Sequence, residues 1–281
     1  MVVKLGMGQM LVIGGDVGRN LFNASKMIKD AAYKGCEIIV LPECLDIGWT
    51  NPVATEMATP IPGDYSNQLC VVAKENNIHV VAGLTEREED DIYNAAVLIS
   101  NKGEILLKHR KINVLGIAQN LYSTGNSLAV AKTNIQGEEI KIGINICADN
   151  FSSSLALGHS LARMGAQMIL SPSAWAVDVN HDNSKNPYGG MWKESYLTLT
   201  RLYDISVIGV SNVGRIEGGP WDGKICIGNS IAMGPGGELI AEGTNGVDAE
   251  ELIVIDVEVV KHGVTGTNFA GMLSLGGYNG P

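Results

Sequence analysis

Apolar positions along this chain keep two periods, one suited to strands and one to helices. Residues 2–13 read as a strand. Over 17–33, Leu21, Ala24, Ile28 and Ala31 recur at the 3.6-residue period, which predicts an amphipathic helix with Gly35 as its stop. Cys36-Glu37-Ile38-Ile39-Val40-Leu41 reads as a short buried strand closed by Pro42. A second helix is predicted over 64–76 and an apolar strand from Ile78 to Leu84. Two strands, 92–100 and 104–110, form a hairpin around Asn101-Lys102-Gly103.

The pattern then returns. Lys4 to Met10 parallels Lys141 to Cys147, and Gly35 to Glu43 parallels Gly165 to Ser173. The strand at Ile78 has its counterpart at Ile205, and the hairpin from Asn94 to Glu104 has its counterpart from Asn229 to Glu238. Four matches in one order, at offsets of about 127 to 137 residues, indicate a structural duplication. Each half supplies β-α-β-α-β and a hairpin. Helices cover one face of such a sheet, and the other face is best buried against the second half. The expected fold is therefore α/β, a four-layer α-β-β-α sandwich with an internal two-fold duplication. Without an obvious linker, 1–281 reads as a single domain, with the Gly-rich stretch 262–281 either a frayed tail or an arm that packs on a neighbouring subunit.

Composition narrows the function. An apolar fraction of 45% with 18% charged residues fits a folded globular protein. The net charge of −10, without a Lys/Arg run, argues against a nucleic-acid partner. No apolar window reaches the roughly 18–20 residues of a membrane span, and the N-terminus lacks the features of a signal peptide. Five irregularly spaced cysteines, an odd number, point to a reducing cytoplasm, and without CxxC pairs or clustered histidines no metal site is expected.

Loops after the strands of such sheets carry chemistry. They hold Glu43, Cys147 and the polar segment 178–189, a candidate lid. Cys147 ends the apolar strand Gly143-Ile144-Asn145-Ile146, where its repeat counterpart is Met10, so a nucleophile replaces an apolar side chain. A cysteine there is either a small buried hydrophobe or a nucleophile that needs a neighbouring base or cation. Glu43 follows Leu41-Pro42 at a strand end and is the candidate base. Its counterpart is Ser173, and face-to-face halves would bring the two sets of strand ends to one crevice. In His109-Arg110-Lys111, spacing alone does not choose Lys111 over Lys108 or Arg110.

Leu41-Pro42-Glu43, His109-Arg110-Lys111 and Gly143-Ile144-Asn145-Ile146-Cys147-Ala148-Asp149 together resemble the motifs of the nitrilase superfamily of carbon–nitrogen hydrolases. Tyr93-Asn94-Ala95-Ala96, Ser171-Pro172-Ser173-Ala174-Trp175 and Gly228-Asn229-Ser230 add to the resemblance, which runs from Lys4 to about Asp256. It implies the αββα sandwich and a catalytic triad of Glu43, Lys111 and Cys147. It also implies a thioester intermediate, an oxyanion held by Lys111 and the Ala148 N–H, and no cofactor. Ala148-Asp149 after the cysteine looks like the amide-hydrolysing branches, so the implied substrate is a small amide or N-carbamoyl compound. The chain departs from the family in 116–125, where Ala118 stands at the place of a further glutamate, with Gln119 beside it.

Loops 47–56, 112–126 and 213–224 are expected to wall the pocket, with Trp49, Asn113, Tyr122 and Trp175 as candidate lining residues. A homodimer or higher homo-oligomer is expected. Other readings are nitrile hydrolysis, a non-catalytic binding scaffold, a Cys-His hydrolase using His159 or His109, and a redox sensor using Cys147 or Cys44. The last is disfavoured for Cys44, since the Glu43 charge raises a neighbouring thiol's pKa.

Overall fold

The computed structural model describes residues 1–261 and 275–277, so most of the expected arm 262–281 lies outside the described residues. The first half contains β1 (Val2–Gln9), α1 (Val17–Tyr33), β2 (Ile38–Val40), α2 (Ala54–Met57), α3 (Asp64–Glu75), β3 (His79–Glu88), β4 (Asp91–Ile99) and β5 (Ile105–Arg110). The second contains β6 (Val130–Ile135), β7 (Glu138–Ile144), α4 (Ala156–Arg163), β8 (Met168–Ser173), β9 (Ala176–Val177), α5 (Gly190–Tyr203), β10 (Ser206–Ser211), β11 (Val213–Arg215), β12 (Ile225–Ile227), β13 (Ile231–Gly234), β14 (Glu238–Glu242) and β15 (Glu251–Glu258).

Two six-stranded sheets result, in the orders β15-β1-β2-β3-β4-β5 and β14-β13-β10-β8-β7-β6. Each has three parallel strands followed by an antiparallel hairpin, and each gains one antiparallel strand beside its first. The duplication extends to register. Leu5 pairs with Ile38 and Ile142 with Met168, while Ile38 pairs with His79 and Met168 with Ser206. These are equivalent pairs under the sequence alignment of the two halves.

Strand alternation builds the layers, because successive side chains face opposite sides of a sheet. Val3, Leu5, Met7, Ile38, Val40, Val81, Ala96 and Leu98 join Ile140, Ile142, Ile144 and Met168 in the core between the sheets. Their neighbours Ile39, Val80, Ala82, Val97 and Ile99 instead pack with Leu21, Ala24 and Ile28 of α1 and Leu69 and Val72 of α3. Close helix contact is kept by glycine at equivalent positions. A Cβ at Gly6 would lie 3.3 Å from Ala31 of α1, and one at Gly143 would lie 3.3 Å from Leu161 of α4. The fold is thus the expected four-layer α-β-β-α sandwich.

The expected strand 2–13 ends at Gln9. Beyond it the backbone changes partner, with Val213 N donating to the Met10 carbonyl and Val12 N to the Val213 carbonyl. Strands β11, β12 and β9 form a third, small sheet. Because β9 continues from β8 and β11 from β10, this sheet lies over the C-terminal ends of the parallel strands. Among the described residues no helix is long and apolar enough to cross a membrane.

Candidate functional site

The C-terminal ends of the parallel strands from both halves meet at one place. Glu43, three residues past β2, donates its backbone N–H to the Ser173 carbonyl at the end of β8, 3.2 Å away. These are the repeat-equivalent residues, so the seam between the halves passes through them. Within the first half, Gly83 of β3 lets the Glu43 backbone pack close against that strand. A Cβ there would stand 2.5 Å from the Glu43 Cα and 2.6 Å from the Pro42 oxygen.

Glu43, Lys111 and Cys147 are brought together with exposures of 1%, 2% and 7%. Lys111 Nζ donates to Glu43 Oε1 at 2.6 Å, and Asn94 Nδ2 donates to the same oxygen at 2.5 Å. Glu43 Oε2 is buried without a partner among the described residues. The structure also separates the cluster of basic residues that sequence spacing left open. Lys108 and Arg110 turn to one side of β5 and bind the buried Glu86. His109 and Lys111 turn to the other side and reach Asp149 and Glu43.

Cys147 opens a four-residue 3₁₀ turn three residues past the end of β7, with φ of +44°. A non-glycine residue there costs about 1–3 kcal/mol, and such strain is found where a side chain must be presented. Asn145 and Asn150 exchange two side-chain hydrogen bonds, and Asn150 donates to Ser171 Oγ, so the turn is tied to β8.

Asp149 supplies the remaining framework. Its Oδ1 accepts the N–H groups of Ile112 and Asn113, and its Oδ2 accepts the Ile146 N–H and bonds His109 Nε2. One fully buried carboxylate therefore fixes both the segment after Lys111 and the residue before Cys147. Burial works against its charge, but the His109 bond and charge, the Asn113 N–H and Lys111 hold it below the usual carboxylate range.

Burial, then the Glu43 charge, pushes the Cys147 thiol up to about 12, with Lys111 and the Ala174 N–H pulling the other way. The resting sulfur is therefore a thiol. For Lys111 burial opposes the ammonium, but the Glu43 charge and hydrogen bond, with the Asp149 charge, outweigh it and keep the group charged.

Ala148 is buried, and its carbonyl accepts Asn113 Nδ2 and Ser154 Oγ, both at 2.7 Å. Asn113 thus braces the turn. Trp49 packs edge-on against Trp221 and lines a narrow cleft with Asn212, Arg215 and Cys226. Burial raises the Cys226 thiol to about 12, Asn212 opposing and the Glu43 charge adding, so this cleft lies within electrostatic reach of Glu43. Tyr122 accepts the Thr50 N–H and lies 3.7 Å from Cys44 Sγ. Trp175 is stacked on Trp192, with its Nε1 unpartnered among the described residues. Ala118 is buried on a 3₁₀ turn at Gly116–Ala118, while Gln119 is exposed, so neither brings a charge to the centre.

Three residues of the neighbourhood had no role from sequence. Asn94 stood in a quoted motif and Asp149 in the cysteine heptapeptide, but their partners are distant in the chain. Tyr188, in the segment 178–189, lies within electrostatic reach of Cys147, and its hydroxyl accepts Trp192 Nε1. The proposed alternative bases are engaged elsewhere, His109 with Asp149 and His159 with the Tyr203 hydroxyl. Cys44 is fully buried, and burial followed by the Glu43 charge raises its thiol well above the ordinary value. Among the described residues no group of acidic, histidine and cysteine side chains is arranged to hold a metal.

The family model described as carbon-nitrogen hydrolase matches residues 4–264. An omega-amidase NIT2 of Xenopus tropicalis is 29% identical over 253 residues, covering 85% of this chain and 83% of that protein. The fold is similar to an amidase from Nesterenkonia sp., with a TM-score of 0.74 and 19% identity over 91% of this chain and 90% of that one. It is also similar to a carbon-nitrogen hydrolase from Helicobacter pylori G27, with a TM-score of 0.78 and 19% identity over 92% and 90% of the two chains.

Proposed function

The chain belongs to the carbon–nitrogen hydrolase family, and on that footing we propose that it cleaves a non-peptide C–N bond of a small amide or N-carbamoyl compound through a thioester on Cys147. The observation that carries this reading is the division of labour on Glu43. One oxygen is fixed by Lys111 and Asn94, the other is buried without a partner among the described residues, and the Cys147 thiol lies within hydrogen-bonding reach of the carboxylate.

Glu43 Oε2 takes the thiol proton as Cys147 Sγ bonds to the carbonyl carbon, so no free thiolate has to persist. Charge develops on the carbonyl oxygen, where Lys111 and the Ala148 N–H act as donors. One such donor is worth about 2.7–4 kcal/mol of barrier in other hydrolases. As the C–N bond breaks, Glu43 returns the proton to the departing nitrogen. Water then attacks the thioester, gives a proton to Glu43 and frees the acid, and the sulfur regains its proton. Asp149 acts by position, holding the cysteine turn and the lysine segment in one frame.

Omega-amidases among the relatives favour amide over nitrile as substrate, and Ala148-Asp149 after the nucleophile points the same way. We read the chain as one domain working as a homo-oligomer in the cytoplasm. Its five cysteines are all free, which suits a reducing compartment.

The test is ammonia release from a panel of small amides, N-carbamoyl compounds and nitriles, with mass spectrometry during turnover. The expected result is amide turnover, an acyl adduct on Cys147, and loss of both in a folded Cys147→Ala protein. Turnover persisting in Cys147→Ala, or an adduct confined to Cys44, overturns the reading.

A further inference from the structure

At the end of the sandwich opposite Glu43 and Cys147, the strands begin instead of ending, and a cavity of about 340 Å³ opens between the halves. Its wall includes Glu37 before β2, Asn76 after α3, His79 at the start of β3, and Asn101 in the β4–β5 turn. Asn134 near the end of β6 and Gln136 in the β6–β7 turn face it from the second half. The volume is that of a small-molecule site. Neither the hydrolytic reading nor the family match uses it.

We propose that this cavity binds a compact organic cation, a primary ammonium or a guanidinium. Three observations converge on that chemistry. First, Glu37 is the one carboxylate on the wall. Its Oε2 accepts the Lys4 N–H at 3.1 Å and Gln136 Nε2 at 2.8 Å, while its Oε1 has no partner among the described residues.

Second, the amides around it present free acceptors beside that carboxylate oxygen. Asn76 Nδ2 donates to the Val72 carbonyl, Asn101 Nδ2 to Asn77 Oδ1, and Gln136 Nε2 to the Val2 carbonyl and Glu37. Each leaves its amide oxygen without a partner among the described residues. Asn76 and Asn101 each keep a second amide N–H, and Asn134, whose oxygen accepts the Gly137 N–H, and Asn77 keep both of theirs. A ligand rich in N–H groups can bond these oxygens, and the Glu37 charge selects a cation over an anion.

Third, α1 and α3 both end here, at Tyr33 and Glu75, and helix C-termini favour positive charge. No competing cation occupies the wall. His79 has both ring nitrogens engaged, with the Glu37 carbonyl and Thr133 Oγ1, and burial lowers its pKa, so it stays neutral. Lys4 and Lys34 are near enough to act on the Cys36 thiol, but neither lines the cavity.

The proposal is tested by calorimetric titration of the full chain carrying Cys147→Ala with n-butylamine, methylguanidine and, as anionic control, butyrate. Saturable one-to-one binding of either cation, and not of butyrate, is expected. Glu37→Gln keeps an acceptor for the Lys4 N–H and should weaken the cation about tenfold or more, close to 1.4 kcal/mol. Asn101→Asp, in an accessible turn, should tighten it. Adding Glu43→Gln should leave the affinity unchanged. No saturable binding of either cation, affinity indifferent to both Glu37→Gln and Asn101→Asp, or loss of binding with Glu43→Gln overturns it. The last outcome would place the cation at the catalytic end.

Discussion

Lys111 Nζ lies 2.6 Å from Glu43 Oε1, and the other oxygen of that carboxylate is buried with no partner among the described residues. The cation therefore fixes the carboxylate without consuming the lone pair that a base needs. Glu43→Gln should lower kcat by about 10²–10⁴, the usual worth of a positioned general base. The same variant should move the sulfur. Burial and the Glu43 charge raise the Cys147 thiol to about 12, while Lys111 pulls it down. With the carboxylate charge gone and Lys111 kept, the pH midpoint for alkylation of Cys147 by iodoacetamide should fall below the wild-type value. A midpoint that rises would contradict this arrangement.

Lys111→Met removes one member of a buried pair and leaves Glu43 uncompensated. The expected destabilisation is about 3–5 kcal/mol, read from urea unfolding, and kcat should fall at least about 10²-fold from the lost oxyanion donor. The double variant Lys111→Met with Glu43→Gln separates the two effects. Stability should recover in part because no buried charge is left alone, while activity should not.

The sequence made the layers legible because period and repeat both act locally. Helix α1 falls on the 17–33 expected from Leu21, Ala24, Ile28 and Ala31, all of them buried. The equivalence of Met10 and Cys147 is matched by equal strand registers in the two sheets. Strand alternation carries a signal for Lys111 as well. It shares a face with Leu107 and His109, whereas Lys108 and Arg110 share the face that meets Glu86. Asn94 and Asp149 were not legible as site residues, since their roles depend on partners 51 and 36 to 40 positions away. The extension of β1 to residue 13 failed for a related reason: Met10 and Val12 keep hydrogen bonds, but with Val213.

Gly83→Ala tests the close packing of β3 against the backbone of the base. A Cβ would stand 2.5 Å from the Glu43 Cα and 3.0 Å from the Cys44 N, both backbone atoms that cannot swing aside. Overpacking of this kind costs about 1–3 kcal/mol. The displaced residue is the proposed base, so kcat should fall along with Tm. A control with Gly137→Ala, in an exposed turn with no atom near the added carbon, should lose stability through its φ of +81° and leave kcat alone.

Two buried carboxylates should shape stability with opposite signs below neutral pH. Burial raises the Asp46 carboxyl to about 6, although the N–H groups of Thr85 and Ile47 and the Thr85 hydroxyl bind it. Its folded pKa lies above its unfolded value, so its contribution is fully present below the unfolded pKa and is lost as pH rises through about 6. That amounts to about 3 kcal/mol. Asp149 is held below its ordinary value, so its contribution is present above that value and is lost only as pH falls through the folded pKa. Urea unfolding from pH 4 to pH 7 on Asp46→Asn should therefore show a smaller loss of stability with rising pH than the wild type. Asp149→Asn should show no such change in that window. It should instead lose stability at every pH, because its amide would turn a donor toward the N–H of Ile112 and Asn113 or toward that of Ile146. Equal slopes for Asp46→Asn and wild type would mean that Asp46 does not titrate between pH 4 and 7.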